Sequence, residues 1–505
     1  MAMEIQKYLL DYDWTVLAPE LTILIAAVVM SVIDLLMKDK VERRILAWMG
    51  MLGVIVAAVF IVNYMDREPY QILGDTYRLD DFANVFKLII LAGTFLVLLA
   101  AQSVLHRSDI TYRGEFYYLL LTATLGGMMM VSSADLITLY VGLELLSISS
   151  YILAGTRKHV LKSTEAAFKY VVLGSVSSAF ILYGMSFAYG LTGTTNLYTI
   201  QTGLADAYQS GYAFFVLLSL ALMILGIGFK ISSAPFHMWA PDVYEGAPTP
   251  VTTFLAVVSK AAAFGLLLRI LLVGYWGVFQ SLDTQTMNTM SMLFVVIAAL
   301  SMIVGNTVAL RQRNVKRMMA YSSVAQAGYI LVPFAILGVG LFEAVSFYLL
   351  AYMLTTVGAF TIIMLVSREA GTSDLRSFAG LFKRSPWTAV AMLIFVLSLA
   401  GIPITGGFIG KFYIFFNAII GQHVWLAVIM VVTSVISYFY YFEIVRQMFF
   451  RPAATNEKIL IPRGVTAVVL IGALGTIALG VLPQAVFDYL GQLQLTELLI
   501  PAGNE

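Results

Sequence analysis

Residues 226–252 read GIGFKISSAPFHMWAPDVYEGAPTPVT. An apolar run reaches Lys230, is interrupted at Pro235, and gives way to a second cluster of prolines before residue 252. Proline removes a backbone donor and clashes with the carbonyl four residues back, so a helix carrying this stretch kinks or unwinds beside a lysine. In lipid the freed carbonyls need partners, so such a break survives only where protein or a wet cavity covers it. The stretch therefore reads as a broken membrane helix built around a cation.

A second stretch repeats the device. Residues 398–415 read SLAGIPITGGFIGKFYIF, with Pro403, Gly406, Gly407 and Gly410 just ahead of Lys411. In the first break the lysine precedes the proline; in the second it follows, as two halves of inverted topology would give. Paired breaks in two halves of a chain point to a transport site.

Composition sets the surroundings. Of 505 residues 60% are hydrophobic and 12% charged, against about 45–50% and about 25% in a soluble chain. Thirty Lys plus Arg nearly balance 29 Asp plus Glu, giving +1, so no basic field exists for nucleic acid to follow. With no cysteine, disulfides, thiolate iron–sulfur ligation and a cysteine nucleophile are excluded. Runs of about 20 apolar residues, long enough to span a bilayer as helices, recur fourteen times: roughly 16–37, 44–64, 82–104, 115–133, 135–156, 164–190, 212–242, 248–275, 290–310, 318–338, 343–367, 386–421, 423–449 and 464–485. The expected fold is an all-α polytopic membrane protein with broken helices 7 and 12. Glu4, Asp11 and Asp13 precede the first run where a cleaved signal would be basic, so that run is expected to stay. With the N-terminus outside, 21 basic residues fall on inner connectors and three (Lys7, Arg67 and Arg78) on outer ones. That excess is the orientation signal of a multi-pass chain with both termini on the outer side.

Six basic residues lie within spans: Lys87, Lys169, Lys230, Lys260, Arg269 and Lys411. Lys87 and Arg269 sit near span ends and are expected to snorkel to water; Lys169 is left open. Lys230, Lys260 and Lys411 lie deep or beside a break, each at a cost of roughly 2.5–3.5 kcal/mol on insertion scales, so each calls for a function or a partner. Among acids, Glu144 stands mid-span in TLYVGLELLSISSYIL, residues 138–153. It either locks two helices as an ion pair or titrates as an ammonium approaches and withdraws, since burial draws Lys down and Glu up toward neutral pH. Glu20, Asp34 and Asp135 read as interfacial caps. His237 either relays protons or caps a loose carbonyl. No phosphate-binding glycine loop, haem motif or metal spacing appears among His106, His159, His237 and His423, so electron transfer and ATP hydrolysis are expected elsewhere.

Glu144, Lys230 before PFH, Lys260 and Lys411 after GIPITGGF resemble the antiporter-like membrane subunits of respiratory complex I. The segments FKISSAPFHMWAPDVYEGAPTPVTTFLAVVSKAAAF (229–264) and LAPELTILIAAVVMSVIDLL (17–36) are similar to the N-type subunit of NADH-quinone oxidoreductase. In the M-type subunit the match to Lys411 is usually a glutamate, and the L-type adds a long lateral helix. The resemblance implies about 14 spans: three N-terminal helices (1–114), two inverted five-helix repeats (115–275 and 276–450), and a last helix with a short tail (451–505). It implies proton translocation driven by electron transfer from NADH to quinone. Glu144 and Lys230 would form a charge-switching pair, Lys260 the central relay and Lys411 the outlet, with Pro235 and Pro403 giving flexibility. The chain itself would bind no cofactor; NADH, flavin, iron–sulfur clusters and quinone would belong to other subunits. Partners would be the K-, M-, L-, J- and A-type subunits, the hydrophilic arm beyond them and the lipid of a bacterial plasma membrane. The competing expectations are a subunit of a multi-subunit sodium/proton antiporter, exchanging ions without a redox driver, and a passive scaffold between neighbouring subunits.

Overall fold

A computed structural model describes residues 13–38, 41–105, 110, 112–282, 284–338, 340–453, 457–493 and 498. Glu4, Lys7, Asp11 and His106 lie outside the described residues, as do Lys40 and Arg107 of the basic connectors and both chain ends.

The apolar runs become helices because nothing else satisfies their backbone inside lipid. Twelve described helices are long and apolar enough to cross a membrane. The other two expected spans take different forms. Arg113–Val131 is a helix of 19 residues, and the region around Pro403 is two helices, Pro386–Ala400 and Gly406–Ile420, of 15 residues each. Around Pro235 the chain likewise leaves the helix Ala213–Lys230 and re-enters one at Trp239–Gly246. Both breaks stand where the proline pattern places them. Between them the helix running from Thr249 to Gly274 contains a wide π turn, Leu255–Ser259, ending directly before Lys260; such turns gather at functional positions.

Two features were not expected. A short hairpin pairs Tyr70–Ile72 with Tyr77–Leu79, and an eleven-residue helix, Leu197–Ala207, fills what reads as a loop and is set off from the next span by Gly211 at φ 95°.

Connectors bond to one another in two separate sets, one at each end of the bundle. On one face the hairpin reaches the connectors at 132–135 and 194–197, through Arg78 N–H to Ser132 O at 2.8 Å and Leu136 N–H to Thr195 O at 2.9 Å. On the other, Val315 N–H donates to Ser373 O at 2.9 Å and Gly380 N–H to Gln447 O at 3.0 Å. These are the sides that alternating traverses require.

Small residues bring helices together, as expected where lipid offers no hydrophobic drive between them. A Cβ on Gly126 would lie 2.5 Å from Leu146 N and 2.7 Å from Gly142 O; one on Gly305 would lie 2.5 Å from Ala325 N and 2.8 Å from Tyr321 O. The two helices facing those glycines begin alike: Asp135 accepts from Ile137 and Thr138 N–H, and Asn314 from Lys316 and Arg317 N–H. Each cap also forms an isolated bridge to a later connector, Asp135 with Asn196 and Asn314 with Asp374, at opposite ends of the bundle.

Candidate functional site

All three deep lysines lie in the interior rather than at the lipid face: Lys230 is 3% exposed, Lys260 0% and Lys411 6%. Lys230 ends its helix at the break. The carbonyls freed there are held by protein, because Trp239 Nε1–H donates to Phe229 O at 2.9 Å and Ser233 N–H to Gly228 O at 2.9 Å. His237 lies within the same break beside the Pro235 backbone; its ring stands 6.2 Å from that of Tyr321, and its Nδ1 is buried without a partner among the described residues.

Lys230 Nζ donates to Ser147 Oγ and lies 3.5 Å from Tyr151 OH. Glu144, Ser147 and Tyr151 succeed one another at three- and four-residue spacing on one helix, so they share a face. Glu144 is the carboxylate that acts electrostatically on Lys230. The two are not in ion-pair contact among the described residues: Ser147 takes the ammonium, and Glu144 Oε1 is buried without a hydrogen-bond partner. Gly174 makes room for this arrangement, since a Cβ there would meet Tyr151 OH at 2.0 Å.

Lys260 Nζ donates to Ser323 O at 2.6 Å and Ser323 Oγ at 2.5 Å. Tyr352 OH donates to the same hydroxyl at 3.0 Å. From here polar groups continue. Ser322 Oγ and Tyr441 OH are 2.5 Å apart, Tyr441 OH accepts from Gln326 Nε2 at 3.4 Å, and Gln326 Nε2 also donates to Leu399 O at 3.1 Å. Leu399 O in turn accepts from Lys411 Nζ at 2.8 Å, with Ala400 O at 3.3 Å. Lys411 thus caps the carbonyls left open where Pro386–Ala400 stops. Gly407 is required at this point: a Cβ would lie 2.1 Å from Ser398 O. Gly406 packs on the last span, Leu479 standing 2.8 Å from where its Cβ would be, and Pro403 lies exposed at the bend.

Between Lys230 and Lys260 the contacts are aromatic instead. Tyr151 meets Tyr170 at 4.7 Å, Tyr170 stacks on Trp239 at 4.5 Å, and Trp239 meets Tyr244, whose hydroxyl is 3.5 Å from Ser323 Oγ. Tyr170 OH is buried in this stack without a partner among the described residues.

Three expectations about charge are corrected. Lys87 does not snorkel: it is fully buried, 2.6 Å from Glu20 and 2.7 Å from Tyr77 OH, because the hairpin closes over that end of the helix. Glu20 is accordingly a buried ion-pair partner rather than an interfacial cap. Arg269 does not snorkel either; it grips Asp80 at 2.6 and 3.0 Å and Val131 O at 2.6 Å. Asp80 also pairs with Arg78 at 3.1 Å. Asp34 joins Arg43 at 2.9 Å, whereas Asp135 is a helix cap as read. Lys169, left open, bonds Asp242 at 2.6 Å and Glu165 at 2.7 Å.

Gln326, Ser322, Ser323 and Tyr441 were missed. A signal existed for three of them: YSSVAQAGY, residues 321–329, sets Ser322, Ser323 and Gln326 on one helical face within an apolar span. Tyr441 gave none, being one of many aromatic residues in its helix. Among the described residues no group of three or more His, Cys, Asp or Glu could hold a metal ion.

This geometry has known relatives. A model of the NADH:quinone oxidoreductase/Mrp antiporter transmembrane family matches residues 133–437. The NADH-quinone oxidoreductase subunit N of Brevibacillus brevis is 51% identical over 96% of each chain. Among solved structures, a chain of respiratory complex I from Thermus thermophilus matches at 32% identity and TM-score 0.78, covering 94% of this chain and 99% of that one. A chain of the Mrp complex from Dietzia shares the fold alone, at 21% identity and TM-score 0.79 over 95% and 96% of the two chains. The chain belongs to the NADH:quinone oxidoreductase/Mrp antiporter family and, within it, to the N subunits of NADH-quinone oxidoreductase.

Proposed function

We propose that this chain is the proton-translocating N-type subunit of the membrane arm of NADH-quinone oxidoreductase, and that protons pass along Glu144, Lys230, Lys260 and Lys411. The observation that carries this is the set of three buried lysines, with Lys260 on Ser323 and Lys411 at the end of the Ser322–Tyr441–Gln326–Leu399 series, which starts at the next residue of the same helix. Ammonium groups bonded to hydroxyls and carbonyls, with no carboxylate in contact among the described residues, are free to gain and lose protons. Glu144 sets the charge state of Lys230 from beyond Ser147, Lys260 passes protons between the halves, and Lys411 delivers them at the second break. Tyr170 OH, without a partner among the described residues, lies between the first two lysines, where water would complete the route, and His237 Nδ1, equally without one, offers a second relay position.

Residues 1–114 form the N-terminal helices, 115–275 and 276–450 two inverted repeats, and 451–505 the last span. Support comes from the matched glycine contacts at Gly126 and Gly305 and the matched caps at Asp135 and Asn314. The face with the basic connectors is cytoplasmic by charge excess, which puts both termini outside a bacterial plasma membrane. NADH, flavin, iron–sulfur clusters and quinone belong to partner subunits; the K-, M-, L-, J- and A-type subunits are the neighbours.

The test is proton uptake by inverted vesicles holding the assembled complex. NADH-driven pumping that collapses in Lys411→Ala and Glu144→Gln, with assembly intact, supports the reading. Sodium/proton exchange in the absence of NADH oxidation indicates the antiporter instead, and unchanged pumping indicates a scaffold.

A further inference from the structure

The basic face holds a second polar feature, apart from the lysine route. A cavity of about 500 Å³ opens there, lined by Arg157, Lys162, Glu245, Lys316, Ser367 and Arg368 among others. It sits at the ends of five membrane helices. Leu161–Thr192, Thr249–Gly274 and Val315–Ile336 begin at it, and Asp81–Val104 and Leu341–Ala370 finish beside it. Its depth is therefore that of a bilayer surface.

The charges on its walls do not balance. Four are basic and one is acidic, and the acid is already engaged: Glu245 accepts from Lys162 Nζ at 2.7 Å and Arg317 at 3.2 Å. Burial works to raise the Glu245 carboxyl, but those two cations outweigh it and hold the group below its usual range. Lys316, although buried, donates only to the carbonyls of Glu245 and Ala247, at 3.1 and 2.6 Å. Arg368 donates to Val104 O at 3.1 Å. Neither has a carboxylate within ion-pair distance among the described residues. Three helix N-termini add partial positive charge to the same space. Ser367 Oγ is buried on the wall without a hydrogen-bond partner among the described residues.

Two cations at this depth, Lys316 buried and Arg368 on the open side, have no carboxylate in contact among the described residues and call for an anion with several acceptor oxygens. The remaining wall includes Val104, Leu105, Val160 and Met364, which suits the glycerol and acyl stems of a lipid better than a free ion. We propose that this cavity binds the headgroup phosphate of an anionic phospholipid, which bridges residues 157–162 and 245–250 of the first half to residues 314–316 and 367–373 of the second.

The assembled complex, reconstituted with photoactivatable phosphatidylglycerol or photoactivatable phosphatidylcholine, tests this by mapping crosslinks to residues 364–373. Phosphatidylglycerol should label that segment at least about tenfold more than phosphatidylcholine, because its net negative charge is drawn to each nearby Lys and Arg whereas phosphatidylcholine carries none. Excess inorganic phosphate should not compete. Arg157→Gln with Arg368→Gln should lose the labelling, and Arg157→Lys with Arg368→Lys should keep it. Equal labelling by the two lipids, suppression by inorganic phosphate, or no lipid labelling because a neighbouring subunit fills the cavity would each overturn the proposal. The comparison of lipids in the unmutated complex decides the matter even if the glutamine variant fails to assemble.

Discussion

The helix facing Gly126 and the helix facing Gly305 pack in the same way, yet they present different chemistry. Two residues before the point of closest approach, Leu146 in one and Ala325 in the other, the first carries Glu144 and the second Ser323. The first helix therefore offers Lys230 a hydroxyl in contact and a carboxylate at one remove, and the second offers Lys260, a residue of the first half, a hydroxyl and a carbonyl in contact, with no carboxylate among the described residues. Packing at this pair of sites is set by the glycines, while the chemistry offered to the facing lysine is set by one residue beside them. The same packing can thus present two buried lysines with different partners.

That contrast can be broken most forcefully through the scaffold. Gly126→Val and Gly305→Val each drive carbon atoms into the backbone of the facing helix, and overpacking of this kind should cost about 3 kcal/mol. Both should lower the thermal midpoint of the assembled complex by similar amounts, and a large inequality would show that the two halves are not built alike. Next is Lys230→Met, which removes the ammonium but keeps most of the packing; NADH-driven proton uptake should fall by about tenfold, some 1.4 kcal/mol on the barrier, with the midpoint little changed. Ser323→Ala sharpens the second half: Lys260 keeps the backbone carbonyl and loses the hydroxyl, so pumping should slow about threefold. The smallest change is expected outside both halves. Replacing Glu20 and Lys87 together, by Gln and Met, removes a locked ion pair whole, and stability measured by denaturation should move by no more than about 1 kcal/mol. Pumping should be untouched, because Lys87 and Glu20 neutralise each other at 2.6 Å.

The same contrast marks what could be read from the chain. Membrane helices and both breaks were legible because apolar length and proline act locally, and the three deep lysines stood out because charge in oil is costly. Distance from a span end does not give Lys87 and Arg269 access to water, because Tyr77 of the hairpin covers Lys87 and Asp80, just beyond it, holds Arg269. Ser147 and Tyr441 were invisible for a related reason. A serine or tyrosine in a span is ordinary, and only the approach of another helix turns it into a link. Gln326 is the polar group in the chain of contacts whose spacing with Ser322 and Ser323 carries a signal in the sequence, although it is not among the residues read from it.

The helices Pro386–Ala400 and Gly406–Ile420 hold a last consequence, for how the chain is made. At 1.5 Å per residue, fifteen residues extend about 22 Å, short of the roughly 30 Å hydrocarbon core. Neither half can therefore be released sideways from the insertion machinery as a self-sufficient span. The pair has to enter as one unit, its bend shielded by segments already in place, and Lys411 finds the carbonyls of Leu399 and Ala400 only once both halves are together. Biogenesis of the C-terminal half is in this sense ordered, with the broken span inserted as one unit where most spans would partition singly.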